Sequence, residues 1–321
     1  MKVEVLSYGE LLIDFSQHGK GPLGYPAYEA LPGGGVANMV VALAKWGHSV
    51  AFGGRVGEDA LGALLRKTLA DYGVDVSQLT SSSRPTTMAI VSLDAHGDRS
   101  FDFLWKGTSC EGIPMLAPDL KAVPRLFHFS SVSMSDPEGR KNNLASALAH
   151  KNAGSIVSFD PNLRTNLWSS LDTAREAMRE GLELSDIVKI SEEEVAFLLE
   201  EPLGDPMEQA QRLWNRHPLP VLFVTLGAKG CLWFCQGQRG AQATPKVAVV
   251  DTTGAGDCFM AGILHVFLGL NKAPSALTAA DAAGMAAFGV ASGSSSTLNR
   301  GGIPSIPTLD TVNSLVFPSA G

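Results

Sequence analysis

Asp251-Thr252-Thr253-Gly254-Ala255-Gly256-Asp257, followed by the apolar run Cys258 to Leu268, sets a carboxylate at the start of a predicted helix behind small residues. The N–H groups of Gly254, Ala255 and Gly256 can converge on one oxyanion, and a helix start adds about half a positive charge. Small side chains let a phosphate approach the backbone closely. Asp257 stands where an incoming hydroxyl would lie, so the segment predicts phosphoryl transfer to an alcohol. In that reading residues 254–257 form the anion hole and Asp257 is the base, kept ionised by the helix start. A Gly-rich turn ahead of a helix is the plainer use of the same residues.

Other polar clusters fall at predicted strand ends, where ligands gather in open α/β sheets. Asp14 lies near the end of a second strand, and Gly33-Gly34-Gly35-Val36-Ala37-Asn38 opens the first long helix. Asp160-Pro161-Asn162-Leu163-Arg164, Lys189-Ile190-Ser191-Glu192-Glu193-Glu194 and Thr225-Leu226-Gly227-Ala228-Lys229-Gly230 each follow or straddle a strand end. Arg164 is a forked donor for sugar oxygens or a moving phosphoryl group, or one half of a structural salt bridge. Glu192 to Glu194 are equally a solvated helix face. Neither GxxxxGK[ST] nor GxGxxG occurs, which argues against a P-loop kinase and a dinucleotide fold.

The elements that must carry these groups alternate. Strands are predicted over Val3 to Tyr8, Leu11 to Phe15 (exposed), Val50 to Val56, Leu126 to Phe129, Ser155 to Phe159, Ile187 to Ile190 and Leu222 to Thr225. Helices are predicted over Val36 to Trp46, Ala60 to Tyr72, 138–152, 171–183, 192–200 and 207–216, several stopping at a glycine. This βα rhythm gives a central, mostly parallel sheet with helices on both faces. Gly19 to Pro32, rich in Gly and Pro, reads as turns. Met88 to Leu93 and Ser100 to Trp105 flank His96-Gly97-Asp98 as a hairpin. The pieces at 11–32 and 86–106 break the rhythm and form a small projecting sheet, either a lid over a ligand or an edge extension.

The chain has 321 residues, enough for one large α/β domain or two smaller ones. Its composition, 45% apolar and 18% charged, is that of a globular enzyme. A net charge of −7 gives no general attraction to nucleic acid or an anionic membrane. The cysteines at 110, 231, 235 and 258 form no CxxC, and Cys231 and Cys235 read as buried strand residues. No signal-peptide pattern and no apolar run of ~18 residues is present, so a cytoplasmic setting is expected.

Asp251 to Asp257 resembles the C-terminal signature of the PfkB (ribokinase-like) carbohydrate kinases. The resemblance extends through Gly9 to Phe15, Pro32 to Asn38, Phe127-His128-Phe129, Phe159 to Trp168, Lys189 to Glu194 and Arg300 to Thr308. Within the family it is nearest the fructokinases. It implies a three-layer α/β/α fold with a small β-sheet lid, residues 1–321 forming one kinase domain. It implies ATP, Mg²⁺ and a sugar as ligands, with K⁺ as a further cofactor and a homodimer through a lid face that includes Phe101 or Phe103. Asp14, Gly33, Gly34, Asn38, Phe103 and Arg164 would contact the sugar, with Asp257. Lys189, Thr225, Gly227, Gly256 and Ala283 would meet the nucleotide. Glu194 would act on Mg²⁺ through water, and Asp251 and Thr253 would hold a monovalent cation, although Asp251 could equally be a cap. D-fructose phosphorylated at its 6-hydroxyl is the leading substrate; 2-keto-3-deoxygluconate, a riboside such as aminoimidazole riboside, and a silent sugar- or nucleotide-binding regulator are the alternatives. Four features depart from the pattern: Val36 replaces a proline, Val40 is larger than the usual alanine, Ala283 stands for an asparagine, and Ser292 to Asn299 reads as a lengthened loop. The last two bear on nucleotide and cation binding rather than on the reaction.

Overall fold

The computed structural model describes residues 3–93 and 99–316. In chain order its elements are β1 (Val5–Tyr8), β2 (Leu12–Lys20), β3 (Pro26–Gly33), α1 (Gly35–Lys45), β4 (Val50–Gly57), α2 (Ala60–Asp71), β5 (Leu79–Ser82), β6 (Met88–Leu93), β7 (Arg99–Leu104), β8 (Leu126–Ser130), α3 (Pro137–Asn152), β9 (Ile156–Asp160), α4 (Leu171–Leu184), β10 (Ile187–Ser191), α5 (Glu192–Leu199), α6 (Pro206–Arg216), β11 (Val221–Thr225), β12 (Cys231–Cys235), β13 (Gln238–Gln242), α7 (Ala255–Leu270), α8 (Ala279–Ser296) and α9 (Leu309–Val316).

Among the described residues the large sheet has nine strands in the order β13-β12-β11-β10-β9-β8-β1-β4-β5. Seven run parallel, and β12 and β13 close one edge antiparallel. Alternate strand residues enter two separate cores, as buried parallel strands require. Val5, Leu126, Ile187 and Phe223 face α1, α2, α7, α8 and α9. Leu6, Phe127, Val188 and Leu222 face α3, α4, α5 and α6. The architecture is the expected three-layer α/β/α. Cys231 and Cys235 are buried in β12, and no helix of the described residues is long and apolar enough to cross a membrane.

The strands β8, β9, β10 and β11 each end on a polar residue: Ser130, Asp160, Ser191 and Thr225. The register pairs Ser130 with Asp160 and Ser191 with Thr225, which gathers the row at the strands' carboxyl ends.

A separate four-stranded sheet, β3-β2-β6-β7, stands over this row. It corrects the reading of Gly19 to Pro32 as turns: only 21–25 is a turn, and β3 pairs with β2 from Pro26 onward. Its prolines are tolerated because β3 is an edge strand. The second strand runs to Lys20, and its first residues are buried rather than exposed, Leu12 and Ile13 lying under the sheet. The turn His96-Gly97-Asp98 and the Phe101 side chain lie outside the described residues.

Close packing fixes α7. A Cβ at Gly262 would strike the Ser292 Oγ of α8, with the Gly289 Cα at 2.9 Å. One at Gly293 would stand 3.0 Å from the Ala255 carbonyl oxygen. Ser292 to Asn299 is accordingly no loop insertion. Through Ser296 it is the last turn of α8, where Ser292, Ser294 and Ser296 donate to carbonyls three or four residues back and so hide in the helix.

Candidate active site

Gly254 caps α7 with φ 77°, a left-handed conformation that favours glycine. The turn leaves the first N–H groups of the helix, which lack intrahelical acceptors, facing the strand ends. Ala255 is an exception, since its N–H donates to the Thr252 carbonyl. Asp257, in the first turn of α7, is buried, and two amides hold it. Asn38 Nδ2 of α1 donates to Oδ2 at 2.8 Å, and Asn162 Nδ2 donates to Oδ1 at 3.5 Å. Gly35 makes room for this grip, because a Cβ there would stand 2.5 Å from Asn162 Nδ2 and 3.2 Å from Asp257 Oδ1.

Burial pushes the Asp257 carboxyl above the usual aspartate range, while Asn38, Lys189 and Arg164 pull the other way. Desolvation is thus set against the helix start, which favours the ionised carboxylate. Lys189 does not extend into open solvent. Its Nζ lies 2.9 Å from both carboxylate oxygens of Asp160, and both side chains are buried. Burial alone would lower the Lys189 pKa, but Asp160, Glu194 and Asp257 outweigh it and hold the ammonium charged. A Cβ at Gly256 would stand 3.0 Å from that ammonium, so the cation lies directly beneath the start of α7.

Glu194 begins as a structural acid. Its Oε2 accepts the Ser191 N–H, closing a capping box at the start of α5, and its Oε1 accepts the Leu163 N–H at 2.6 Å. It also lines the cleft. Arg164, half-buried beside it, donates to the Leu163 carbonyl.

Asn38, Arg164, Lys189, Glu194, Gly256 and Asp257 line a cavity of about 730 Å³, together with Glu10, Gly34, Asn162 and Thr253. The small sheet covers it. Asp14, Ala89 and Phe103 are directly cross-strand, and Asp14 and Phe103 line the cavity from that row. Gly33 does not line it; a Cβ there would strike the Asp14 carboxylate, so Gly33 leaves room for that side chain. A second cavity of about 640 Å³ opens between α8 and residues 244–249, lined by Gly227, Val249, Ala255, Phe259, Val290 and Gly293 among others. The two share Thr225, Thr252 and Gly256. Ala283 lines neither, lying on α8 two turns ahead of Val290. Asp251 ties two loops together, Oδ1 accepting the Thr253 N–H and Oδ2 the Gly301 N–H, each at 2.8 Å.

Two adjoining cavities thus share Gly256, and the amide-gripped Asp257 carboxylate next to it lines the first of them. The family model for pfkB family carbohydrate kinases matches residues 2–309. The chain belongs to the pfkB family. It is a carbohydrate kinase. A probable chloroplastic fructokinase-6 from Arabidopsis thaliana is 38% identical over 322 residues, covering 96% of this chain and 81% of that one. The fructokinase from Xylella fastidiosa, solved with bound ATP, superposes with a TM-score of 0.86 at 30% identity, covering 98% of each chain. The aminoimidazole riboside kinase from Salmonella enterica, solved with its riboside and an ATP analogue, gives 0.80 at 27%, covering 98% of this chain and 99% of that one.

Within this pfkB kinase, sequence reasoning assigned no role to Glu10, Asp160 or Asn162, although each stands inside a segment it singled out. The available signal was position: each is among the first polar residues after a buried strand. Nor did it find the Val249, Val290 and Gly293 wall. Residues 243–250 form no regular element, and the helical stretch was read as a loop.

Proposed function

We propose that this carbohydrate kinase transfers the γ-phosphoryl group of ATP to the 6-hydroxyl of D-fructose, with Asp257 as the base. The observation that carries the reading is the position of Asp257 in the wall of the first cavity, next in sequence to Gly256, which both cavities share, in the first turn of α7. The fructokinase relatives supply the acceptor and the ATP-bound neighbour supplies the donor.

The sugar lies in the cavity under the small sheet, which acts as a lid on one kinase unit. Asp14 accepts hydrogen bonds from two hydroxyls and Phe103 covers the ring. Asn38 Oδ1, buried and without a protein partner among the described residues, accepts a third. ATP occupies the second cavity, its adenosine against Val249, Val290 and Gly293 and its phosphates reaching Gly256. The acceptor oxygen bonds to phosphorus as the bond to the ADP oxygen breaks. In a loose transition state the hydroxyl proton leaves late, to Asp257, so a carboxylate is a sufficient base. The charge spread over the transferring group meets the remaining N–H groups of 254–257, Ala255 excepted, and the Arg164 and Lys189 cations.

Mg²⁺ asks for one or two carboxylates and keeps its waters. Glu194 fits, since each oxygen accepts one N–H and the residue lines the cleft. The ion would neutralise phosphate charge. Asp251 and Thr253 are the residues for a K⁺ ion. Exposed Leu23, Tyr25 and Leu104 on the small sheet support a homodimer through the lid, which light scattering would reveal as a doubled mass.

The likeness to aminoimidazole riboside kinase keeps a riboside as the second acceptor reading. ADP release with Mg²⁺-ATP, with and without K⁺, across fructose, glucose, ribose, 2-keto-3-deoxygluconate and aminoimidazole riboside separates the two. Selective turnover of fructose is expected. Selective turnover of the riboside would replace the acceptor, and silence on all five would remove the assignment.

A further inference from the structure

Glu10 is 1% exposed, yet its carboxyl reaches the wall of the first cavity. Oε1 accepts the Gly35 N–H at 3.0 Å and Oε2 accepts the Ser130 hydroxyl at 3.1 Å. The contact is two-sided: a Cβ at Gly34 would stand 2.6 Å from the Glu10 carbonyl oxygen. Over Gly35 three polar groups converge, because the same Cβ position that meets Asn162 and Asp257 lies 3.6 Å from Glu10 Oε1. Among the described residues no cation pairs with Glu10. Lys189 of β10 is bonded to Asp160 of β9, and Arg164 donates to Leu163. The remaining charged groups around the cavity are acidic: Asp14 of β2, Glu193 and Glu194 of α5, and Asp257 of α7. A glutamine would keep the Gly35 bond through its carbonyl oxygen and reverse the other, its NH2 donating to the Ser130 oxygen, without any ionisable charge, so an acid here puts a titratable group beside the base.

We propose, resting on the reading of Asp257 as the base, that Glu10 is a positioning residue that pins the Gly34–Gly35 turn, and with it the acceptor side of the cavity, against Asp257. Burial pushes the Glu10 carboxyl up to about 7, and the Asp257 charge adds to the rise. Glu10 therefore changes charge near neutrality. The ionised Asp257 lifts Glu10, and not the reverse: below that pH Glu10 is neutral, so it carries no charge where Asp257 gains its proton.

The first test is the pH profile of kcat/KM for the acceptor in Glu10→Gln. Its acid limb is expected to stay in place and the acceptor KM to stay within about twofold of the wild type's, because Glu10 is as neutral as glutamine at that pH. Glu10→Ala, which frees the turn as well, is expected to raise the acceptor KM about tenfold while the ATP KM stays put.

A second readout needs no turnover. The folded pKa of about 7 exceeds the ordinary 4.5, so the wild type loses stability as pH rises through that window. Glu10→Gln escapes this loss. The variant's Tm minus the wild type's should grow between pH 5 and 8 by about 3 °C. An acceptor KM in Glu10→Ala within about twofold of the wild type's would overturn the proposal. So would a Glu10→Gln chain that fails to fold, because glutamine mimics the protonated acid. Wild-type silence on every sugar would defeat the kinase assignment instead and leave the Tm comparison standing.

Discussion

The cavity under the small sheet and the cavity beside α8 share Thr225, Thr252 and Gly256 but differ in their walls. The first is built from buried polar groups already bonded to one another: Asp160 to Lys189, Asn38 and Asn162 to Asp257, Glu10 to Gly35 and Ser130. The second is mostly Val, Ala, Gly and Phe, with backbone and a few hydroxyls. A wall of oriented hydrogen-bonding groups rejects a ligand that leaves them unpaired, by far more than an apolar wall rejects one of the wrong size. Discrimination should therefore reside on the acceptor side, and the nucleotide side should tolerate change.

The largest expected effect falls on the base. Asp257→Asn keeps the amide-compatible shape and should lower kcat by roughly 10²–10⁴ without unfolding, as steady-state turnover and circular dichroism would report. Near-normal turnover would erase the contrast between the cavities. Next comes Lys189→Met, which strands a buried Asp160 carboxylate and should cost about 3–5 kcal/mol in chemical denaturation. Adding Asp160→Asn should restore most of that stability but little of the turnover, separating the pair's structural part from its charge at the site. Gly35→Ala pushes a methyl onto the Asn162 amide. A drop of about tenfold or more in kcat/KM for the acceptor is expected, with the ATP KM within about twofold. The smallest effect belongs to the apolar side, where Val249→Ser should raise the ATP KM by only about fivefold and leave the acceptor KM alone.

A pH profile sharpens the same comparison. Burial raises the folded pKa of Asp257, and the base must be ionised, so the acid limb of kcat/KM should lie above the ordinary aspartate value. A limb at or below that value would mean that Lys189, Arg164 and Asn38 prevail over burial.

The difference between the cavities also decides what was legible in the sequence. The start of α7 and the Gly-rich entry to α1 are local backbone devices, and their glycines announce them. The βα rhythm follows from apolar runs, and the three layers follow from the rhythm. Glu10, Asp160 and Asn162 acquire their roles only through register and packing, when Asp160 comes beside Lys189 and Asn162 crosses Gly35 to reach Asp257. Composition misled in two places. Prolines suggested turns over Gly19 to Pro32, yet an edge strand tolerates them. Serines suggested a loop over Ser292 to Asn299, yet a helix packed this closely needs small side chains, and serine supplies them while bonding its own backbone.

The seam between α7 and α8, with Gly262 against Ser292 and Gly293 against the Ala255 carbonyl, makes the two helices behave as one stiff beam. One end of that beam carries Asp257 and its side carries Val290 and Gly293. Anyone retuning the enzyme for a bulkier nucleotide would be leaning on the support of the base itself. Donor and acceptor preferences are therefore not separable modules, and a variant library confined to the α8 wall should be screened for acceptor turnover as closely as for nucleotide use.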